Sequence, residues 1–599
     1  MEPEKLDMKT DGGGNDDTVY ESAETLRPST KQRQVEVEDH IPDDDRPLEE
    51  EEEGDAQPSG EALHQLATFL AALDMTIVTT ALPTIVEHFN ASESDYSWIG
   101  SAYLLASAAS SPSWGKISDI FGRKPVLLVA NVIFLIGSLI CGVSKSAQML
   151  IGGRVVQGLG GGGLLSMVNI CIGDLFSMRE RSMMYAVIGI VWAIAGAIGP
   201  IFGGLFTQYA TWRWCFYINL PADGVALVSI FFFLRVETPK TPFFEGICGI
   251  DWLGSLTSAG GTVMFLLGLN YGGSSHPWDS AIVICLIVFG VVTWALFMLI
   301  QAKISRYPIS PPWLFTSQRT LAPFLVCFIH GFNYTGMTYF LPLYFQTVLG
   351  ATPILSGVYL FPLVVSVAIG SMAVGIIIRR TGRYRPPLWI GMGFFVLGLG
   401  LYIDLPYGHN WAKIIIYQGI AGLGSGPNFQ APLIALQSQI RPADIATATS
   451  TFAFTRNMGS AISVVIGGVI FQNVMQKKLP NIRDQLPADL YRQVSESSPG
   501  AMASIVRDLP KAESRAIQRV YKDSLKMVWV FFTAMCAVGF LCGFLIRKKS
   551  LDQKHKVTKT GLEAQKEARE ERLREKREKK ARKEGKQQSD VENGVVEKH

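Results

Sequence analysis

Histidine and cysteine are scarce in this sequence, eight of each among 599 residues, and that scarcity narrows the chemistry. No C-x-x-C pair or ligand-like cluster occurs, so neither a disulfide framework nor a metal centre is indicated. The cysteines fall in or beside apolar runs, as at Cys141, Cys171, Cys285, Cys327 and Cys542, and read as small hydrophobes. A polytopic membrane enzyme would want histidines and carboxylates gathered at one membrane face, and no such cluster is present. A phosphate loop is missing too: GKIS (115–118) lacks the upstream glycine and the Ser or Thr directly after Lys. GLGGGG (158–163) matches G-x-G-x-x-G but follows no strand and sits inside an apolar run, which argues against a dinucleotide site. No catalytic residue, cofactor, metal or nucleic-acid partner is therefore expected. Without ATP, work would have to be driven by an ion gradient. No cleavable signal peptide is expected, because acidic residues 1–60 come first.

Apolar residues supply what is abundant. Hydrophobic residues make up 48% of the chain and charged ones 18%. The charge is concentrated at the ends: DDD (43–45) and EEEEE (49–53) in the first tail, KREKKARKEGK in the last. Between them, apolar runs of about 20 residues recur, the length that crosses ~30 Å of hydrocarbon. The pattern predicts an all-α polytopic membrane protein with fourteen transmembrane helices. They run near 64–86, 98–118, 126–146, 148–176, 183–208, 216–236, 250–270, 279–303, 320–347, 356–378, 386–404, 411–437, 446–474 and 526–546. Loops after even-numbered spans are basic, with GRK (122–124), RERS (179–182), KISR (303–306) and RRTGRYR (379–385). Short loops after odd-numbered spans are nearly free of Lys and Arg, which places the basic loops and both termini in the cytoplasm; the outer segment 475–525 is basic, but the rule applies weakly to long loops. The tails 1–60 and 547–599 read as solvated by composition. The long outer loop 475–525 reads as a small amphipathic cap. Asn90 opens an N-A-S triplet, a weak glycosylation signal.

The sequence repeats itself. GKISDIFGRK (115–124) is echoed by GIIIRRTGRY (375–384), QGLGGGG (157–163) by QGIAGLG (418–424), and DMTIVTTALP (74–83) by NYTGMTYFLP (333–342). GAIGPIFGG (196–204) has a fainter echo in GSAISVVIGG (459–468). Near-constant offsets imply two homologous six-helix halves, 64–236 and 320–546, with two inserted helices over 250–303. Parallel halves with a cavity between them are the layout of the major facilitator fold.

These motifs resemble that family's own. GKISDIFGRK is similar to the signature loop G-x-x-x-D-x-x-G-R-[RK] between spans 2 and 3 of the major facilitator superfamily. RVVQGLGGGG (154–163) resembles R-x-x-Q-G of span 4, and GAIGPIFGG resembles G-x-x-x-G-P-x-x-G-G of the antiporter branch, with two residues rather than three between its first two glycines. LDMTIVTTALP and WRWCFYINLP (212–221) look like motifs of the fourteen-span drug:proton antiporters, most of all fungal toxin and multidrug efflux members. The resemblance spans about 64–546. It implies a proton-coupled exporter of amphipathic organic compounds, working at the plasma membrane, with a vacuolar or vesicle membrane as alternative. It also implies a protein that functions as a monomer in the bilayer. Two departures stand out: Arg379 occupies the place of Asp119 in the second copy, and Pro125 and Val126 follow GRK where a further basic residue is common. A proton-coupled importer of siderophore-like chelates on the same fold, or a non-transporting sensor, remains an alternative.

Several side chains then acquire candidate roles. Asp74 lies about ten residues into span 1, roughly 15 Å along a helix, near mid-membrane. A carboxyl that is neutral when dry and charged when wet is a natural proton carrier, and its repeat mate, Asn333, cannot titrate. Arg154 of span 4 is expected to modulate Asp74 or to bind cargo; helix rise sets the two at different depths, so a direct pair is not inferred from the sequence. Asp119, Arg123 and Lys124, with Gly115 and Gly122 for close approach and a turn, are expected to latch one face with Asp174. Gly196, Gly199, Pro200, Gly203 and Gly204 suggest a bent, closely packed helix between the halves. His330 is expected to line a wet cavity, with Gln157, Asn333, Tyr339, Gln346, Gln418 and Arg456 as further cavity candidates.

Overall fold

The computed structural model describes residues 58–89, 93–234, 239, 241–272, 276–496, 506, 509–551, 560–575, 577–578 and 581; Asn90 and the acidic run lie outside them. Among the described residues there is no strand, only an isolated bridge between Gly272 and His276. The first half is built of α1 (Pro58–Phe89), α2 (Glu93–Phe121), α3 (Arg123–Gly142), α4 (Ala147–Leu175), α5 (Glu180–Tyr209) and a broken span made of α6 (Trp214–Tyr217) and α7 (Asn219–Phe233). A short α8 (Phe243–Gly249) leads into the hairpin of α9 (Trp252–Tyr271) and α10 (Ala281–Lys303). After α11 (Trp313–Thr316), the second half runs through α12 (Gln318–Thr347), α13 (Pro353–Val358), α14 (Phe361–Thr381), α15 (Arg385–Leu401), α16 (Trp411–Ser425), α17 (Ala431–Gln439) and α18 (Ile445–Lys478). It ends with α19 (Ala488–Glu496) and α20 (Lys511–Phe544).

Ten helical stretches among the described residues are long and apolar enough to cross a membrane. The spans missing from that set are α1, which contributes the shorter apolar stretch Thr68–Val78, α2 and α12, long helices diluted by polar residues, and the α16–α17 pair, each too short alone; with them the chain is consistent with fourteen. Side-chain caps mark several starts, with Ser146, Ser280, Thr352 and Asp251 each accepting from the backbone N–H three residues on, which satisfies donors the helix leaves orphaned. Two differences from expectation concern the ends. The last helix begins at Lys511, well before 526, because Ala516, Ile517, Val520, Tyr521 and Leu525 bury one helical face. The span expected over 411–437 breaks into a 3₁₀ turn at Gly426–Phe429, where Pro427 interrupts the backbone ladder.

The repeat is visible in backbone devices. Gly122 and Gly382, equivalent by sequence, both adopt positive φ, 90° and 64°, a conformation nearly reserved for glycine, and each turns the chain between two helices. The halves meet along two seams, α2 against α18 and α5 against α14, while the α9–α10 hairpin packs on α2. At the first seam a Cβ on Gly115 would lie 2.8 Å from Ser450 Cβ; at the second, one on Gly375 would lie 2.7 Å from Ala186 Cβ. The two copies of the same glycine thus mark both crossings.

Candidate functional site

Asp74 sits at the centre of a buried charge network inside the first half. Its Oδ2 accepts from Arg154 Nη1 at 2.6 Å, and its Oδ1 accepts from Gln157 Nε2 at 2.7 Å and Asn219 Nδ2 at 2.9 Å. Gln157 also accepts from Arg154 at 2.8 Å and donates to Ser138 Oγ at 2.8 Å. The guanidinium lies over the Tyr103 ring, 4.6 Å from its centroid, and donates to the Ile99 carbonyl at 3.3 Å. The Asp74 side chain is 0% exposed and that of Arg154 3%. The direct pair overturns the expectation of separated depths: Arg154 is long and reaches along the bundle to a carboxylate on another helix. All three side chains touching the carboxylate are donors. That arrangement suits the ionised form, since a protonated carboxyl would need an acceptor for its own O–H.

Glycine lets these helices approach. A Cβ on Gly158 or Gly160 of α4 would strike the backbone of Tyr103 on α2 or of Phe134 on α3, so GLGGGG is a packing surface. Gly199 of α5 faces Thr76, whose hydroxyl donates to the Ala195 carbonyl at 3.0 Å, and this brings α5 against α1 two residues from Asp74. Gly196 and Gly204 face open space, Gly203 is buried and Pro200 lies within α5. The close approach of this motif is thus to α1 in the same half. The crossing to the other half lies nearer the basic loops, where Ser182 Oγ donates to Gly375 O at 2.9 Å.

A second cluster closes the face that carries the basic loops. Arg123, 1% exposed, joins Asp119 at 2.8 Å to Asp174 at 2.6 Å. Lys124 is not part of it; its ammonium lies 5.6 Å from the Phe231 ring centroid. Asp119, Arg123 and Asp174 all belong to the first half, so their pairing alone cannot hold the halves together. The crossing is made by Thr447, which donates to Asp119 Oδ2 at 3.2 Å, and by Arg181, which donates to Gln437 Oε1 at 3.3 Å.

The basic tail completes this closure. Residues 562–575 are helical and lie across both halves. On one side Gly561 N donates to Asp119 O at 2.8 Å and Lys116 Nζ to Gln565 Oε1 at 2.5 Å. On the other, Arg572 pairs with Asp444 and Arg441 pairs with Glu571 at 3.2 Å and with Glu575. Burial raises the Asp444 carboxyl above its ordinary range, with Arg572 and Lys116 pulling it partly back. Composition alone read this tail as solvated; the docking depends on partners that are distant in sequence.

The remaining candidates do not converge. His330 is fully enclosed, its Nε2 3.1 Å from Ser425 O and its ring 4.6 Å from that of Phe429, so the expectation of a wet lining fails there. Asn333 and Gln418 donate to Ile329 O and Ile414 O of their own helices. Gln346 donates to Ser356 at 2.9 Å, and Tyr339 is exposed. Arg456 is half-buried, donates to Phe429 O at 2.8 Å and lies over the rings of Phe429 and Phe452. With half-buried Tyr334, 4.8 Å from Phe429, it forms an aromatic and cationic surface. The sequence reading missed Ser138, Asn131, Asn219 and Asp223, all buried. Asn219 stood in the quoted WRWCFYINLP, and Asp223 carried the same signal as Asp74, an ionisable group in an apolar span.

Comparison with known proteins covers most of the chain but not its ends. The family model described as Major Facilitator Superfamily matches residues 66–464. The efflux pump dotC of Dothistroma septosporum is 53% identical over 504 residues, covering 84% of this chain and 86% of that protein. The efflux pump FUS6 of Gibberella fujikuroi is 38% identical over 493 residues, covering 81% and 88%. Among solved structures, the human organic anion transporter MFSD10 (TETRAN) superposes with a TM-score of 0.51 at 15% identity, covering 81% of this chain and 99% of that one, a likeness of fold.

Proposed function

This chain belongs to the major facilitator superfamily of multi-pass membrane transporters, and from that premise we propose that it exports amphipathic organic compounds, such as toxins, secondary metabolites or drugs, in exchange for protons. The basic loops and both termini lie in the cytoplasm on this reading, the membrane is the plasma membrane, and one chain is the working unit. The observation that carries the reading is the enclosed network of Asp74, Arg154, Gln157 and Asn219. Two relatives named efflux pumps support the direction.

The conformation described is closed at the basic face. A proton arriving from outside forms an O–H on Asp74. The neutral carboxyl no longer matches the Arg154 guanidinium, and the freed cation seeks other acceptors, loosening α4 from α1. That change favours parting of the Gly115 and Gly375 seams and of the Asp119–Thr447 contact. Cargo entering from the cytoplasm or inner leaflet meets Tyr334, Phe429 and Arg456, an apolar surface with one cation. Its binding and the return of Arg154 to the carboxylate drive the proton into the cytoplasm. One inward charge gains about 2.3 kcal/mol per 100 mV and each pH unit about 1.4 kcal/mol. One proton per cycle thus supports roughly tenfold to several-hundredfold accumulation.

Intracellular accumulation of a panel of metabolites and drugs, in cells with and without the protein, tests this. Lower accumulation of particular compounds, restored by a protonophore, is expected; raised uptake would establish import instead.

A further inference from the structure

The first half holds a second intramembrane carboxyl. Asp223 lies on α7, one turn beyond Asn219 and ten residues from the helix end at Phe233, about 15 Å along the axis, and is 0% exposed. Its partner is the equally buried Asn131 of α3. With the amide Nδ2 turned toward it, Asn131 donates to Asp223 Oδ2 at 2.8 Å and to Oδ1 at 3.2 Å. Turned the other way, the same amide offers Oδ1 as an acceptor for a carboxyl O–H. Asn131 therefore satisfies either protonation state without any helix moving. Asp74 differs, since only donors touch its carboxylate.

α7 packs on α1, α3 and α6. The ionisable groups on those helices are Glu61, His64, Asp74, Glu87 and His88 of α1, Arg123, Lys124 and Cys141 of α3, and Cys215 and Tyr217 of α6. Tyr103 of α2 and Arg154 of α4 stand behind Asp74. No cation among the described residues pairs with Asp223: Arg154 is held by Asp74, Arg123 by Asp119 and Asp174, and Lys124 lies against Phe231. An unpaired carboxylate at this depth is costly, and a proton is the smallest ligand that removes the charge.

The two carboxyls share one polar seam. Asn219 touches Asp74 at 2.9 Å and Ser138 Oγ at 3.4 Å. Ser138 and Asn131 are seven residues apart on α3, and Asn219 and Asp223 four apart on α7, so the Asn219–Ser138 and Asp223–Asn131 contacts are successive rungs between the same two helices. Freeing Asn219 from Asp74 disturbs the seam that also holds Asp223.

We propose that Asp223 is a second proton-binding site of the transporter, coupled to Asp74 through the α3–α7 seam. This rests on the proton-exchange reading above. Both carboxyls carry an O–H in the loaded state. On discharge each O–H breaks, its proton passes to water on the cytoplasmic side, and the carboxylates are received by Arg154 and by Asn131 Nδ2. For one pH unit of gradient, a second proton raises the supported accumulation from about tenfold to about a hundredfold.

The test needs no cargo. The full-length protein in lipid is taken from about pH 9 to about pH 5, a range that brackets buried carboxyls, and the infrared C=O band of protonated carboxyls is recorded for wild type, Asp74→Asn and Asp223→Asn. The expected result is a band that grows on acidification and has two buried components, one lost in Asp74→Asn and the other lost in Asp223→Asn. Identical pH-difference bands in wild type and Asp223→Asn overturn the proposal. Should the amide variant fail to fold, Asp223→Glu serves: displacement of the band supports the site, and an unmoved band refutes it. A band that Asp74→Asn leaves unchanged tells against the Asp74 assignment alone, so the two failures are distinguishable.

Discussion

Replacing Asp74 by Asn separates the structural from the energetic role of the central pair. Asn keeps the shape but only one acceptor, so either Arg154 or the Gln157 and Asn219 amides must face an NH2 in place of an oxygen, and the guanidinium, 3% exposed, loses its counter-charge. Leaving one member of a buried ion pair uncompensated costs about 3–5 kcal/mol, or roughly two to four decades in the folding equilibrium at 1.36 kcal/mol per decade. Arg154→Gln strands the carboxylate in the same way, softened by its bonds to Gln157 and Asn219. The double variant buries neutral amides only, so it should be more stable than the sum of the singles by about 1–3 kcal/mol, the coupling range of contacting residues. Unfolding of all four proteins in mixed micelles reads this directly. In proteoliposomes, Asp74→Asn should let cargo equilibrate but never build a gradient against a pH difference. Additive stability losses within about 0.5 kcal/mol, or full coupled transport by Asp74→Asn, would refute the reasoning.

Three further outcomes follow from the geometry. Gly115→Val places methyl groups against Ser450 and the Ala446 carbonyl; overpacking of about 1–3 kcal/mol falls on the closed basic face alone, so labelling of a cysteine at Thr447 should speed up about ten- to a hundredfold. Gly122→Ala forces a side chain into φ 90°, ψ 165°, with about 1–3 kcal/mol of strain, read as a lower melting temperature. Deleting 560–599 removes the Arg572–Asp444 and Arg441–Glu571 pairs; such partly exposed pairs contribute about 0–1 kcal/mol each, so the same labelling should speed up only a few-fold, and high salt should mimic the deletion.

Much of the architecture was legible because the bilayer enforces it. Spans must be about 20 residues long and apolar, and repeated glycines at fixed offsets betray a repeated backbone. Pairing across helices was not legible. Helix rise gives the height of a Cα but not how far a long side chain leans, so Arg154 and Asp74 read as separated. His330 gave no sign that Phe429 and Ser425 would enclose it. The docking of 562–575 depends on Asp444, Lys116 and Arg441, more than a hundred residues away, and a charged amphipathic helix reads the same whether solvated or docked. Asp223 was within reach, since the reasoning that singled out Asp74 applies to it unchanged.

The two halves repeat their backbone but not their charge, and an exchanger has a physical reason for that division. Alternating access needs matched seams, and Gly115 with Gly375 and Gly122 with Gly382 supply them in both halves. A titrating switch needs only one copy, and a second would load protons uncorrelated with the first. At the positions repeating Asp74 and Gln157, Asn333 and Gln418 bond back to their own helices, and among the described residues neither joins a charge network between helices. Arg456, in the same half, is held by aromatic faces and a carbonyl, partners that do not titrate. On the proposed exchange of cargo for protons, the second half is thereby suited to present a constant surface to cargo, while the first changes charge through the cycle. If Asn333 became Asp, no guanidinium among the described residues is bonded at that position as Arg154 is bonded to Asp74, so moving the carboxyl across the pseudo-symmetry axis should not move the coupling with it.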